Sequence, residues 1–135
     1  MNEFYRQSRL ARQSLRNPDG VYLIVEDDQK LSRLLCKVLE KYGKRADTAE
    51  TVKASKEYID ENAESIICVV IDIGLPDGSG SEVAAWIGER HPDIPFFMHT
   101  ADLAKADKAT MSNPHIEIVM KGDIKSFLEI LGIDV

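Results

Sequence analysis

A chain of 135 residues, 44% hydrophobic and 30% charged, is long enough to bury one sizeable core and too short for an enzyme with separate cofactor and substrate domains. Its net charge of −6 is uneven: the first 20 residues hold four arginines against Glu3 and Asp19, while residues 21–135 sum to −8. An acidic body argues against nonspecific nucleic-acid binding, which runs on phosphate neutralisation, and no apolar run approaches the roughly 18 residues of a membrane span.

In chain order, the N-terminus has no apolar h-region and so argues against a secretory signal. On a helical wheel Phe4, Ala11 and Leu15 share one side and Arg6, Arg9, Arg12 and Arg16 take the adjacent and opposite arc, with Tyr5 and Leu10 off the stripe. The expectation is a helix docked on the domain or on a second copy of the chain, the latter making a homodimer, ahead of a mobile tail. The turn signal Asn17-Pro18-Asp19-Gly20 separates this extension, residues 1–20, from a domain over residues 21–135. Val21–Val25 is a short apolar strand. Leu31, Leu34, Leu35, Val38, Leu39 and Tyr42 recur at helical spacing up to Gly43 and predict an amphipathic helix with those residues inward. A weak strand over Lys44–Thr48 and a helix over Thr51–Glu61 follow, the helix turning Val52, Ser55, Tyr58 and Ile59 inward. Ser65–Asp72 holds six consecutive apolar residues, the strongest strand signal in the chain. Then come a helix over Ser81–Arg90, an aromatic strand over Ile94–Thr100, a weak helix over Leu103–Met111 broken by Asn113-Pro114, a strand over His115–Met120 and a closing helix carrying Ile124, Phe127, Leu128 and Leu131.

Five strands alternate with five helices, and strands without polar alternation are buried on both faces, which predicts a doubly wound parallel α/β sheet. In such a sheet the binding crevice lies at the carboxyl ends of the strands. Those ends carry Glu26-Asp27-Asp28, Asp72, Thr100 and Lys121. Carboxylates gathered at one edge repel, and a hard divalent cation such as Mg²⁺ resolves the conflict. A lysine adds a fixed positive charge and a threonine a hydroxyl donor, which together make a phosphoryl-transfer site with a carboxylate as nucleophile. Cys36 and Cys68 have no metal or redox spacing and read as buried free thiols of a reducing cytosol. His91, His99 and His115 have no ligand spacing and read as structural or surface residues, and Trp86 as packing.

Val25-Glu26-Asp27-Asp28, the segment Asp72-Ile73-Gly74-Leu75-Pro76-Asp77-Gly78-Ser79-Gly80, Thr100-Ala101 and Lys121 stand in the order and at the strand ends of the receiver domains of two-component response regulators, which the chain resembles from Val21 to Leu131. The resemblance implies a flavodoxin-like sheet of strand order 2-1-3-4-5. It implies Asp72 as phosphoacceptor; Mg²⁺ on Glu26, Asp27, Asp72 and the Gly74 carbonyl; Thr100 on a phosphoryl oxygen; and Lys121 pairing with the phosphoryl group. Asp28, one position beyond the usual acid pair, is assigned to capping the first helix.

Two positions depart from the family. Gly122-Asp123 follows Lys121 where the family usually has proline, and Ile118 stands where a switch aromatic is common. Asp102, two after Thr100, and Gly74, two after Asp72, stand at positions that the resemblance implies would tune how fast the phosphoryl group is lost.

The domain takes up nearly the whole sequence, so a cytoplasmic single-domain response regulator is expected. It would be phosphorylated by a sensor histidine kinase or a histidine phosphotransfer protein and would signal to a downstream protein target by protein–protein contacts. It is not an enzyme beyond self-phosphorylation from small phosphodonors and self-dephosphorylation. The alternative is a pseudo-receiver, an interaction module with constitutive output. A Mg²⁺-dependent phosphatase is disfavoured, because the second acid such enzymes need falls at Gly74.

Overall fold

The computed structural model describes residues 10–13, 16–102, 104 and 117–133. Strand β1 (Val21–Val25) is apolar throughout, and strand geometry sends alternate side chains to opposite faces. Leu23 and Val25 join a core containing Val52, Ile59, Val69, Ile71, Val83 and Ile87. Tyr22 and Ile24 join a second core containing Leu35, Leu39, Val70, Phe97, Phe127 and Leu128. Neither face meets water, which is why no polar alternation interrupts the run. Each fully buried aliphatic side chain contributes roughly 1.5–3 kcal/mol, so the two layers together fix the sheet.

Strands β2 (Arg45–Ala49), β3 (Ile66–Asp72), β6 (Phe96–Thr100) and β7 (Ile118–Met120) join β1 in one parallel sheet of order β2-β1-β3-β6-β7. This is the expected topology. The numbering advances because a two-residue antiparallel hairpin, β4 (Gly74–Leu75) with β5 (Gly78–Ser79), follows β3, a feature the sequence did not disclose. Helices α1 (Gln29–Lys41) and α4 (Ile124–Ile130) cover one face and α2 (Val52–Asn62) and α3 (Gly80–Arg90) the other. The helix expected over Leu103–Met111 lies outside the described residues except for Ala104, which is helical. The strand expected from His115 begins at Ile118, and His115 itself is outside the described residues.

The Asp28 carboxylate accepts the Lys30 and Leu31 amides at 3.0 and 3.2 Å and caps α1 as expected. The inward face of α1 is rotated from the expected one. Ser32, Leu35 and Leu39 are buried, whereas Leu34 is 48% and Tyr42 38% exposed; Ser32 turns inward because its hydroxyl donates to the Gln29 carbonyl at 3.2 Å. Cys68 is buried as expected, but Cys36 is only half-buried. On the other face Lys56 pairs with Glu82 at 3.0 Å, and Asp60 of α2 receives Arg90 at 2.7 Å and His91 at 2.8 Å. These contacts surround Trp86, whose ring has His91 edge-on at 5.4 Å, so Trp86 packs as expected.

In the extension, Leu10 is buried in the core with Tyr22 and Phe127, and the buried Gln13 donates its amide to the Asp93 carbonyl at 3.0 Å. Ala11 is exposed. The wheel put Ala11 inward and Leu10 off the stripe; the correction follows from Gln13 finding a polar partner in the loop before β6, which rolls its own face inward. Phe4 and Leu15 lie outside the described residues.

Candidate functional site

The expected residues sit at the strand ends or within two residues beyond them, and an extra ladder bond holds Glu26 and Lys121 there. The Glu26 amide donates to the Ala49 carbonyl at 2.9 Å, and the Lys121 amide to the Thr100 carbonyl at 2.9 Å. Asp72 is the last residue of β3, opposite His99 of β6. Parallel pairing thus brings Glu26, Asp27, Asp72, Thr100 and Lys121 to one edge. The Lys121 ammonium lies 2.7 Å from Glu26 Oε1 and 3.3 Å from Asp72 Oδ2. Carboxylate oxygens of Glu26, Asp27 and Asp72 fall within 4.8 Å of one another. Asp72, Gly74, Thr100, Ala101, Asp102, Ala104 and Lys121 wall an open cleft of about 570 Å³.

Local chemistry sets the side chains. The Gly74 amide points at Asp72 Oδ1 at 3.4 Å, a long contact. The Asp102 amide donates to Thr100 Oγ1 at 3.1 Å, which occupies an acceptor lone pair and leaves the hydroxyl proton to donate elsewhere. The Asp28 amide donates to Glu26 Oε2 at 3.2 Å, so the turn that caps α1 also orients Glu26. Glu26 is 2% exposed and Asp72 8%, while Asp27 faces solvent. Three oxygen donors, two buried and one wet, fit a hard divalent cation that keeps several waters.

Burial pushes Glu26 up to about 7; the Lys121 ammonium pulls it down and the Asp72 carboxylate pushes it further up. Burial works against the Lys121 ammonium too, but Glu26 and Asp72 outweigh it and hold its pKa above the ordinary lysine value. His99, buried beneath the site with its ring 5.6 Å from Phe127, is taken down to about 4 by burial and by Lys121. It is therefore neutral at physiological pH and structural, as expected.

Gly122 adopts φ +96°, a region that L side chains enter only at a cost of about 1–2 kcal/mol. The loop that aims Lys121 is thus set by glycine's freedom instead of by a proline ring locked near −65°. Gly122→Ala should lower unfolding free energy by about 1–2 kcal/mol in urea melts, and Gly122→Pro by more, since its φ is incompatible. An unchanged melt would show that this loop relaxes freely. Ile118 is half-buried against the core with Val69 and Met98 and has no ring to rotate.

Sequence reading missed two residues that bear on the site. Asp77 reaches across to the start of α2, and Gly80 packs against the backbone of Asp72. Both lie in the segment Asp72–Gly80 that carries the resemblance, but nothing in that string gave either of them a role.

A family model described as response regulator receiver domain matches residues 22–124. The photosynthetic apparatus regulatory protein RegA of Rhodobacter capsulatus is 37% identical over 75 residues, covering 56% of this chain and 40% of RegA. Response regulator protein PilR of Pseudomonas aeruginosa is 34% identical over 79 residues, covering 58% of this chain and 17% of PilR. The chain therefore spans well under half the length of these curated relatives. Among solved structures, the non-phosphorylated HemR receiver domain of Leptospira biflexa superposes with a TM-score of 0.70 at 29% identity, covering 86% of this chain and 97% of that one.

Proposed function

The chain belongs to the response regulator receiver domain family, and from that premise we propose that Asp72 takes a phosphoryl group from a phosphohistidine of a sensor histidine kinase or histidine phosphotransfer protein. The observation that carries the reading is the Lys121 ammonium 3.3 Å from Asp72 and 2.7 Å from Glu26, a fixed cation beside the carboxylate that would become an acyl phosphate. Receiver domains bind Mg²⁺ in an acidic pocket; here Glu26, Asp27, Asp72 and the Gly74 carbonyl would hold it. When bound, Mg²⁺ neutralises charge on the transferring phosphoryl oxygens.

In the transfer an Asp72 oxygen attacks phosphorus. The new P–O bond forms as the P–N bond to the donor imidazole breaks, and the imidazole leaves with the electron pair. Lys121 exchanges part of its carboxylate pairing for a phosphoryl oxygen, and the Thr100 hydroxyl donates to another. The domain contributes by positioning and electrostatics, not by separate acid–base chemistry. The output is a shift between two conformations that changes protein–protein contacts with a downstream target. The reading places the chain in the cytoplasm; among the described residues no helix is long and apolar enough to cross a membrane.

Intact-mass measurement with acetyl phosphate or phosphoramidate, with and without Mg²⁺, tests this. A gain of one phosphoryl group only with Mg²⁺ is the expected result. A folded chain that gains none would favour the pseudo-receiver reading, for which Gly122 and Ile118 are the supporting departures.

A pH dependence follows. Glu26, ordinarily near 4.5, titrates at about 7 in the fold, and a ligand carboxylate must shed its proton to bind metal. Mg²⁺ affinity should therefore rise as pH goes from about 6 to about 8. The raised pKa means that the folded state holds this proton more tightly than the unfolded one. Its stabilising contribution is complete below 4.5 and is lost as pH rises through about 7. Metal-free protein should thus be less stable at the alkaline end, and Mg²⁺ should offset the loss there. Mg²⁺ titrations that are flat with pH would contradict the burial of Glu26.

A further inference from the structure

We propose that Asp77 and Gly80 are positioning residues that clasp the two ends of the segment following Asp72 and so hold the phosphoacceptor and Gly74 in register; the inference rests on the function proposed above. At the near end, the Gly80 amide donates to the Ile73 carbonyl at 2.7 Å. A Cβ built on Gly80 would collide with the Asp72 carbonyl oxygen and lie 2.9 Å from Ile71 Cγ2. The first residue of α3 is thus seated on the peptide of the phosphoacceptor itself, a closeness that any side chain would destroy.

At the far end, Asp77 Oδ1 accepts the Val52 amide at 2.7 Å and Oδ2 the Lys53 amide at 3.1 Å. These are the first two amides of α2; the third, Ala54, goes to Thr51 Oγ1 at 2.9 Å. The carboxylate therefore completes a helix cap from a loop 24 and 25 residues further on. Those two amides also hold the exposed Asp77 carboxyl below its ordinary range. Between the two fixed ends runs the hairpin, pairing Gly74 with Ser79 and Leu75 with Gly78. Gly74 lies on the cleft wall, so slack at Asp77 passes through two ladder pairs to the wall beside Asp72.

Stability alone does not account for the arrangement. Helix α2 already has Thr51 as its own cap, and α2 and α3 are tied elsewhere by Asp60 with Arg90 and His91. Asp60 joins the same two helices without touching the loop, which makes it the control.

The test measures, on the full chain, the initial rate of mass gain from acetyl phosphate at saturating Mg²⁺, the Mg²⁺ dissociation constant and thermal unfolding. Asp77→Ala should slow modification by about tenfold to a hundredfold, the scale of a misplaced reacting group, and should weaken Mg²⁺ binding. Asp77→Asn keeps one acceptor oxygen and should fall between. Asp60→Ala should lower stability while leaving the rate at the wild-type value. Gly80→Ala should lose at least as much rate as Asp77→Ala; if it does not fold, the Asp77 series decides by itself. An Asp77→Ala rate equal to that of Asp60→Ala, with the wild type modified normally, overturns the clasp alone. A wild-type chain that takes no phosphoryl group overturns the proposed function and the clasp with it.

Discussion

Asp72→Asn should leave the chain at its unmodified mass after exposure to any phosphodonor, with or without Mg²⁺. Asn keeps the size and one acceptor oxygen of Asp72, so the long contact from the Gly74 amide survives. What disappears is the anionic oxygen that attacks phosphorus, and loss of a covalent nucleophile costs about 10⁴ or more in rate, which is beyond detection in a mass assay. The fold should persist. Asp72 is one of the groups pushing Glu26 up, so removing its charge relieves a repulsion inside the acid cluster. The Glu26 pKa should then fall from about 7 toward the carboxylate range, though not all the way, because burial is the larger cause. Melting in Mg²⁺-free buffer should therefore hold or rise, and the alkaline loss of stability should shrink. A phosphoryl group still found on the Asn variant would move the acceptor role to Asp27 or Glu26.

That the cluster could be anticipated from sequence has a simple physical basis. An apolar strand buried on both faces must stop where the first charge appears. In a parallel sheet every such stop falls on one edge, so Glu26, Asp72, Thr100 and Lys121 were legible as neighbours despite lying up to 95 residues apart. Contacts that depend on rotation or on loop register were not legible. A helical wheel weighs a helix by its own side chains and could not know that Gln13 would find the Asp93 carbonyl, which brings Leu10 inward and leaves Ala11 outside. The same blindness put Leu34 and Tyr42 inside and overlooked Ser32. Asp77 reads as a turn residue until the hairpin is seen to carry it over the start of α2. The closer pairing of Lys121 with Glu26 than with Asp72 reflects a depth of burial that a strand-end acid does not announce.

Lys121→Met tests the remaining half of the site, and its effects should point in opposite directions. Met retains the apolar stem and removes the charge. Phosphorylation at saturating Mg²⁺ should slow by about 10²–10³, as when one preorganised electrostatic group is deleted from a transfer site. Metal binding should change the other way. In the wild type the ammonium occupies the same carboxylates that would ligate Mg²⁺, so deleting it removes a competing cation, and Mg²⁺ affinity measured above the variant's own Glu26 titration should increase. Stability carries a third signature. Removing one partner of a buried pair leaves the other charge uncompensated, at a cost of about 3 kcal/mol if it must stay ionised. Glu26 can escape by keeping its proton, since Lys121 is the main group pulling its pKa down. The stability deficit should therefore be small at about pH 6 and grow by up to about 1.4 kcal/mol per pH unit above the titration, with Mg²⁺ reversing it. Weaker Mg²⁺ binding in the Met variant, or a deficit independent of pH, would mean that Lys121 does not sit between the two acids in solution; a wild-type phosphorylation rate would mean that it takes no part in the transfer.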